Sequence, residues 1–148
     1  TFLDETGAER TLQAGELQLG YRTSVFEREP WCILSATFTL REDDTGPIRE
    51  RMADYARRRM EKQPLDMPSA GSTFKRPAGG YAAALIDAAG LKGYAVGGAQ
   101  VSEKHAGFVV NRGGATFDDV LRLMDHIRSE VLRTSGVELE PEVKIIRG

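Results

Sequence analysis

A chain of 148 residues is the size of one typical domain, long enough to bury a core and too short for a large multidomain machine. Its 41% apolar and 28% charged residues are the balance of a soluble globular chain, and 20 basic against 22 acidic residues give no reason to expect nucleic acid or an anionic membrane as partner. No stretch reaches the roughly 18 to 20 uninterrupted apolar residues of a membrane span, and a signal peptide is not evident, so a cytoplasmic location is expected. The single cysteine, Cys32, and two histidines are too few for an intrachain disulfide or a Cys/His zinc cage.

The chain opens on Thr1 without an initiator methionine. TFLD, a DETG turn and ERTLQ read as two short strands around a glycine-containing loop, the middle of a sheet, so the sequence reads as a fragment. Trp31 to Leu40 (WCILSATFTL) is apolar and β-branched with alternation and predicts a strand. The charged turn REDDTG follows, and a domain boundary is expected across Arg41 to Thr45. Pro47 then opens a long, basic, largely solvent-facing helix with Ile48, Met52, Tyr55, Ala56 and Met60 at helical spacing. It ends near Lys62, because Pro64, Pro68 and the Gly71 turn forbid continuation. Met52, Met60 and Met124 read as core residues.

Gly80 to Ala89 predicts a helix with Leu85 and Ile86 inward, closed by Gly90. Tyr94 to Val101 and Phe108 to Asn111 are short strand candidates separated by SEKHAG. Thr116 is a good N-cap, with Asp118 and Asp119 in the first turn of a helix whose stripe is Phe117, Val120, Leu121, Met124, Ile127 and Val131. The tail VELEPEVKIIRG alternates as a final strand. Together these elements predict an α+β (mixed α/β) fold.

Several features have both a chemical and a bland reading. The glycines of GLKGYAVGG match neither a Walker loop nor a dinucleotide fingerprint and suit turns and tight packing. His105, beside Lys104, is either a ligand contact or a solvated loop residue, and His126 lies on a polar helix face. The run Arg57, Arg58, Arg59 and Lys62 either meets phosphate or is simply solvated. Two segments resist the bland reading more: Tyr21 to Phe26, where Arg22 among aromatics could grip a carboxylate, and SAGSTFKRP, where small residues let a backbone approach a ligand and Ser72 precedes Lys75 and Arg76. No GxSxG elbow or Ser/His/Asp arrangement supports serine nucleophilic catalysis.

GYRTSVF (20–26), PSAGSTFKRP (68–77), AGLKGYAVGGAQVSEKHAGFVVN (89–111) and LEPEVKIIRG (139–148) together resemble the C-terminal half of the UDP-N-acetylenolpyruvoylglucosamine reductase family, in its subgroup without the tyrosine-loop insertion. The resemblance implies a flavoenzyme of peptidoglycan synthesis that uses NADPH and FAD to reduce UDP-N-acetylglucosamine enolpyruvate to UDP-N-acetylmuramate. It implies residues 1–41 as the tail of the FAD-binding domain and 42–148 as the substrate-binding domain. By motif, the catalytic arginine falls on Arg22, the proton-donating serine on Ser72 and the catalytic glutamate on Glu142. Tyr21, Lys62, Lys92 and His105 match substrate-contacting positions; Arg76 stands where other members have Asn, and His105 where they have Gln. The FAD site is incomplete in this sequence, so the fragment alone is expected to be inactive and monomeric. The alternative is a non-redox module that binds a sugar nucleotide.

Overall fold

Residues 1–146 are described in a computed structural model, and they divide after Asp44 into a first unit, Thr1–Asp44, and a second beginning at Thr45. Three helices and two antiparallel sheets make the fold α+β.

In the first unit β1 (Phe2–Leu3) lies between β2 (Glu9–Arg10) and β3 (Cys32–Ile33), antiparallel to both. The turn from β1 to β2 is built on Asp4, whose carboxylate accepts from the backbone N–H groups of Thr6 and Ala8, the Thr6 hydroxyl and Arg10 Nε. Those donors, the Thr6 hydroxyl foremost and Arg10 next, lower its pKa to about 2. Phe2 is buried against Trp31, stacked at 4.5 Å, and Phe26, edge-on at 5.3 Å.

The strand expected over Trp31–Leu40 is paired only at Cys32–Ile33. Register sets Phe2 opposite Ile33, and the N–H groups of Leu34 and Ser35 both reach the carbonyl of Thr1, where the edge of β1 runs out. Among the described residues no strand receives the rest, and Phe38 and Leu40 remain about four-fifths exposed, at 79% and 84%.

The second unit holds a four-stranded antiparallel sheet in the order β4 (Ser69–Ser72), β7 (Phe108–Asn111), β6 (Ala99–Val101), β5 (Ala95–Val96). The helices α2 (Ala82–Ala88) and α3 (Phe117–Ser135) share a core with this sheet. Ile86, Ala99, Val101, Leu123, Ile127, Val131 and Leu139 are wholly shielded from solvent there. The α3 stripe centres on Leu123, Ile127 and Val131, so Leu123 belongs to the core where the sequence stripe has Phe117, which is exposed. Thr116 caps the helix reciprocally with Asp119: the hydroxyl accepts the Asp119 N–H, and the Asp119 carboxylate accepts the Thr116 N–H at 2.9 Å.

Tyr94–Val101 is a hairpin and not one strand, because Val96 pairs with Ala99 across the two-residue turn Gly97-Gly98. A Cβ on Gly98 would lie 2.4 Å from the Ala115 nitrogen and 2.5 Å from the Gly113 oxygen, so only glycine lets the hairpin lie against the loop into α3. Among the described residues the tail is likewise not a strand: it forms a single bridge, Phe74 to Pro141, closed on either side by the Lys75 N–H to the Glu140 carbonyl and the Glu142 N–H to the Thr73 carbonyl. The final residues of that expected strand, Arg147 and Gly148, lie outside the described residues.

The first helix, α1 (Thr45–Lys62), buries none of its residues. Met52 and Met60 are therefore surface residues, contrary to the core expectation, while Met124 is buried. Arg57 pairs with Asp54 and Glu61 along the helix, and Arg58 with Asp54. The Lys104 ammonium donates to the Met60 carbonyl in the last turn. No helix among the described residues is long and apolar enough to cross a membrane.

Candidate functional site

Ser72 ends β4 at an irregularity. Ser69 faces Val110 but Ser72 faces Phe108, a register shift that marks a bulge, and Gly71 within it has φ +85°, a conformation that disfavours side chains. The bulge sets Ser72 on the exposed side of the strand end. Thr73, which follows, is buried and fully engaged: its N–H donates to the Gly107 carbonyl at 2.9 Å, its Oγ1 accepts the Val109 N–H at 3.1 Å, and its carbonyl accepts the Glu142 N–H at 2.8 Å.

Glu142 is thereby fixed beside the residue after Ser72. It is half-buried, with Oε2 shut off from solvent. Lys75 donates through its N–H to the Glu140 carbonyl and pairs through its ammonium with the Glu140 carboxylate, which keeps the tail aligned with residues 73–75.

His105 lies in the loop between β6 and β7. Ser102 Oγ accepts the N–H groups of Lys104 and His105, and His105 Nδ1 accepts the Gly107 N–H at 3.2 Å. Three backbone donations therefore run in series, from Glu142 to Thr73, from Thr73 to Gly107, and from Gly107 to the imidazole. Lys104 ties this loop to the last turn of α1, and so to Lys62, which is exposed two residues beyond Met60. Arg76 donates to the Gly80 carbonyl at 3.1 Å and lies 4.1 Å from the centre of the Tyr81 ring, a cation–π contact. Lys92 pairs with Asp87 at 2.7 Å. His126 is half-buried and stacks on Tyr94 at 4.2 Å, a packing role.

Tyr21 and Arg22 belong to the first unit, at the centre of a tight turn closed by Gly20 and Thr23. Arg22 has φ +55°, left-handed backbone for a residue with a long side chain, at a cost of about 1–2 kcal/mol. Its guanidinium lies 5.6 Å from the Tyr21 ring centre, and both residues are exposed.

Within the second unit the structure thus joins Ser72, Glu142 and His105 through shared backbone hydrogen bonds, and links Lys62 to them through Lys104. It leaves Arg76 and Lys92 in local contacts of their own. Sequence reading missed Thr73 and Gly107, which do the joining, since their part lies in long-range backbone bonds that have no motif. An apolar groove of about 610 Å³ is lined by Phe117, Val120, Leu121, Met124, Ile145 and Ile146 and, on its other side, by Thr73 and by Pro68, Ser69 and Ala70 of the segment that leads to Ser72. No group of side chains among the described residues is arranged to hold a metal ion.

The family model described as UDP-N-acetylenolpyruvoylglucosamine reductase, C-terminal domain, matches residues 63–146. The chain belongs to this family. Reductases of that name from Caldanaerobacter subterraneus and Thermotoga maritima are 50% and 51% identical to it, over 97% and 94% of the chain but only 48% and 49% of their own lengths. The crystal structure of UDP-N-acetylenolpyruvylglucosamine reductase (MurB) from Thermus caldophilus aligns over 96% of the chain and 50% of its own, at 36% identity and a TM-score of 0.78. The chain spans about half the length of the reductases it matches.

The first unit offers two-residue strands, two three-residue 3-10 helices and turns, with no long helix N-terminus to receive a diphosphate. In the second unit the long helices are Thr45–Lys62 and α3, and the N-terminal N–H groups of α3 are capped by Thr116.

Proposed function

We propose that the chain is the substrate-binding part of a UDP-N-acetylmuramate dehydrogenase, an oxidoreductase of peptidoglycan precursor synthesis in the cytoplasm. Residues 42–148 form the substrate domain, and residues 1–41 are the tail of a flavin domain whose remainder lies elsewhere in the full-length protein. The observation that carries the reading is the bond from the Glu142 N–H to the Thr73 carbonyl, because it brings Glu142 beside the residue that follows Ser72, from a place far away in sequence.

The reaction adds hydride to C3 of the enolpyruvyl group and pushes charge into the conjugated carboxylate. The hydride donor, with NADPH behind it, is assigned to the full-length protein. What this chain supplies is the second half. Arg22 stabilises the enolate-like charge, Ser72 gives its hydroxyl proton to C2, and Glu142 helps hold the substrate carboxylate, which requires a proton on or between the two carboxyls since two bare carboxylates repel. The strained backbone at Arg22 supports the first role, since such strain is held where a side chain must be aimed. Lys62, Lys92 and Arg76 are the cations for the nucleotide diphosphate, with Tyr21 and His105 as further substrate contacts.

In the full-length protein, Ser72→Ala leaves flavin reduction by NADPH nearly intact and slows reoxidation by the enolpyruvyl substrate by about 10²–10⁴-fold, since only the second step needs the C2 proton. Equal loss in both steps refutes the proton-donor role. The second reading is a non-redox module for a sugar nucleotide. A full-length protein that retains no FAD after purification and reconstitution would select it.

A further inference from the structure

In a folded protein most of a helix's stability comes from packing its apolar face against something else. α1 has the face without the packing: none of its residues is buried, none belongs to the core of the second unit, and the Lys104 ammonium holds it by the Met60 carbonyl in its last turn. Its side chains are nevertheless sorted. Ile48, Met52 and Tyr55 follow the i, i+4, i+7 spacing of one face, with Ala56 and Met60 beside them, and Met52, Tyr55 and Met60 each leave more than half of their surface in solvent. Asp54, Arg57, Arg58 and Glu61 lie on the other side, where the two arginines pair with the two acids.

The family model of the C-terminal domain begins at residue 63, directly after α1, and the chain spans about half the length of its relatives. A C-terminal domain follows the rest of its chain, so the other half of such a protein lies on the α1 side of that start. A second stretch upstream of residue 63 also lacks cover, with Phe38 and Leu40 exposed. We infer that the Ile48, Met52 and Tyr55 face of α1 is the surface on which the N-terminal half of the full-length protein docks, which makes α1 the seam between the two halves. Naming that half the flavin domain rests on the proposed function; the docking does not. An anionic lipid surface suits the helix less, because Arg57 and Arg58 are already neutralised by Asp54 and Glu61. Arg59 falls one turn after Tyr55 on the same face, so the docked surface must offer its guanidinium an acceptor once water is excluded.

The methionines supply the test. The full-length protein and the 148-residue chain are labelled with ¹³C at the methionine methyls, and broadening by a soluble gadolinium chelate is read at each. Met52 and Met60 should broaden strongly in the chain and lose most of that broadening in the full-length protein, while the buried Met124 is shielded in both. Equal broadening of Met52 in the two overturns the inference, whether or not the full-length protein holds FAD. Protection that fades as a dimer dissociates on dilution, or that arises only with phosphatidylglycerol vesicles, gives the face to a second copy or to lipid and overturns it as well. Met52→Glu is read independently by thermal unfolding. The midpoint of the 148-residue chain should move by less than about 2 °C, because the site is already exposed, and that of the full-length protein should fall by about 5 °C or more, up to failure to fold; Glu50→Gln, on the opposite face, should move neither. Equal shifts in both proteins overturn the inference. A full-length protein that shields Met52 but retains no FAD keeps the docking and removes the flavin reading.

Discussion

The N–H of Glu142 donates to the carbonyl of Thr73 at 2.8 Å, so the main chain of Glu142 is anchored to the residue after Ser72. Replacing the side chain alone therefore leaves the anchor in place. Glu142→Gln should change unfolding free energy by less than about 1 kcal/mol, since the amide keeps the shape of the carboxyl. Turnover of the full-length protein should fall by about 10²–10³-fold, as for loss of a charge-stabilising group. Denaturant titration beside steady-state kinetics checks both, and parallel losses would mean that Glu142 serves the fold.

Arg22 in left-handed backbone makes the opposite test. Glycine relieves the strain at φ +55° but adds freedom to the unfolded chain, so Arg22→Gly should leave stability within about 1 kcal/mol of the parent. Turnover should nevertheless collapse, because no cation remains to meet the developing charge. A variant that stays active would remove Arg22 from the mechanism.

Acid should weaken the first unit through Asp4. Its carboxyl is depressed from 3.8 to about 2 by the Thr6 hydroxyl and Arg10, so the folded state holds the ionised form more strongly than the unfolded state does. The stabilisation is present above pH 3.8 and is lost as pH falls from there toward 2. Chemical unfolding followed by Trp31 fluorescence across that window should show a shallower acid limb in Asp4→Asn. An unchanged limb would contradict the hydrogen-bond account.

Gly98 and Gly46 separate crowding from conformation. Gly98→Ala drives a methyl into backbone atoms of Ala115 and Gly113 and should cost about 1–3 kcal/mol or more. Gly46, in the first turn of α1, has no atom within 4 Å of the place a methyl would take, so Gly46→Ala should stabilise by about 0.4–1 kcal/mol. Thermal unfolding distinguishes the two in sign.

Elements whose signals are local were legible. Thr116 with Asp119 and the stripe ending at Val131 announce α3, and Phe108–Asn111 is the strand its composition suggests. Elements that depend on a distant partner were not. WCILSATFTL has every strand preference, yet pairing ends where β1 does, and the described part of the alternating tail pairs at one bridge, Phe74 to Pro141. Met52 and Met60 look like core because periodicity reports a face, not what covers it. Arg22, Ser72 and Glu142 are named by motif alone, whereas the peptides of Thr73 and Gly107 that join the second unit's residues have no side-chain signature.

The unpaired segment after β3 has a consequence for the chain in solution. Past the last bonds to Thr1, from Ala36 to Leu40, five successive residues carry no charge and lie exposed. Such a stretch is a template for the same stretch in another molecule, with backbone groups ready to form intermolecular rungs. The colloidal behaviour of this chain is thus set by one ribbon: light scattering should climb with concentration, and a lysine at Phe38 should suppress it without touching either the sheet of the first unit or any residue assigned to chemistry.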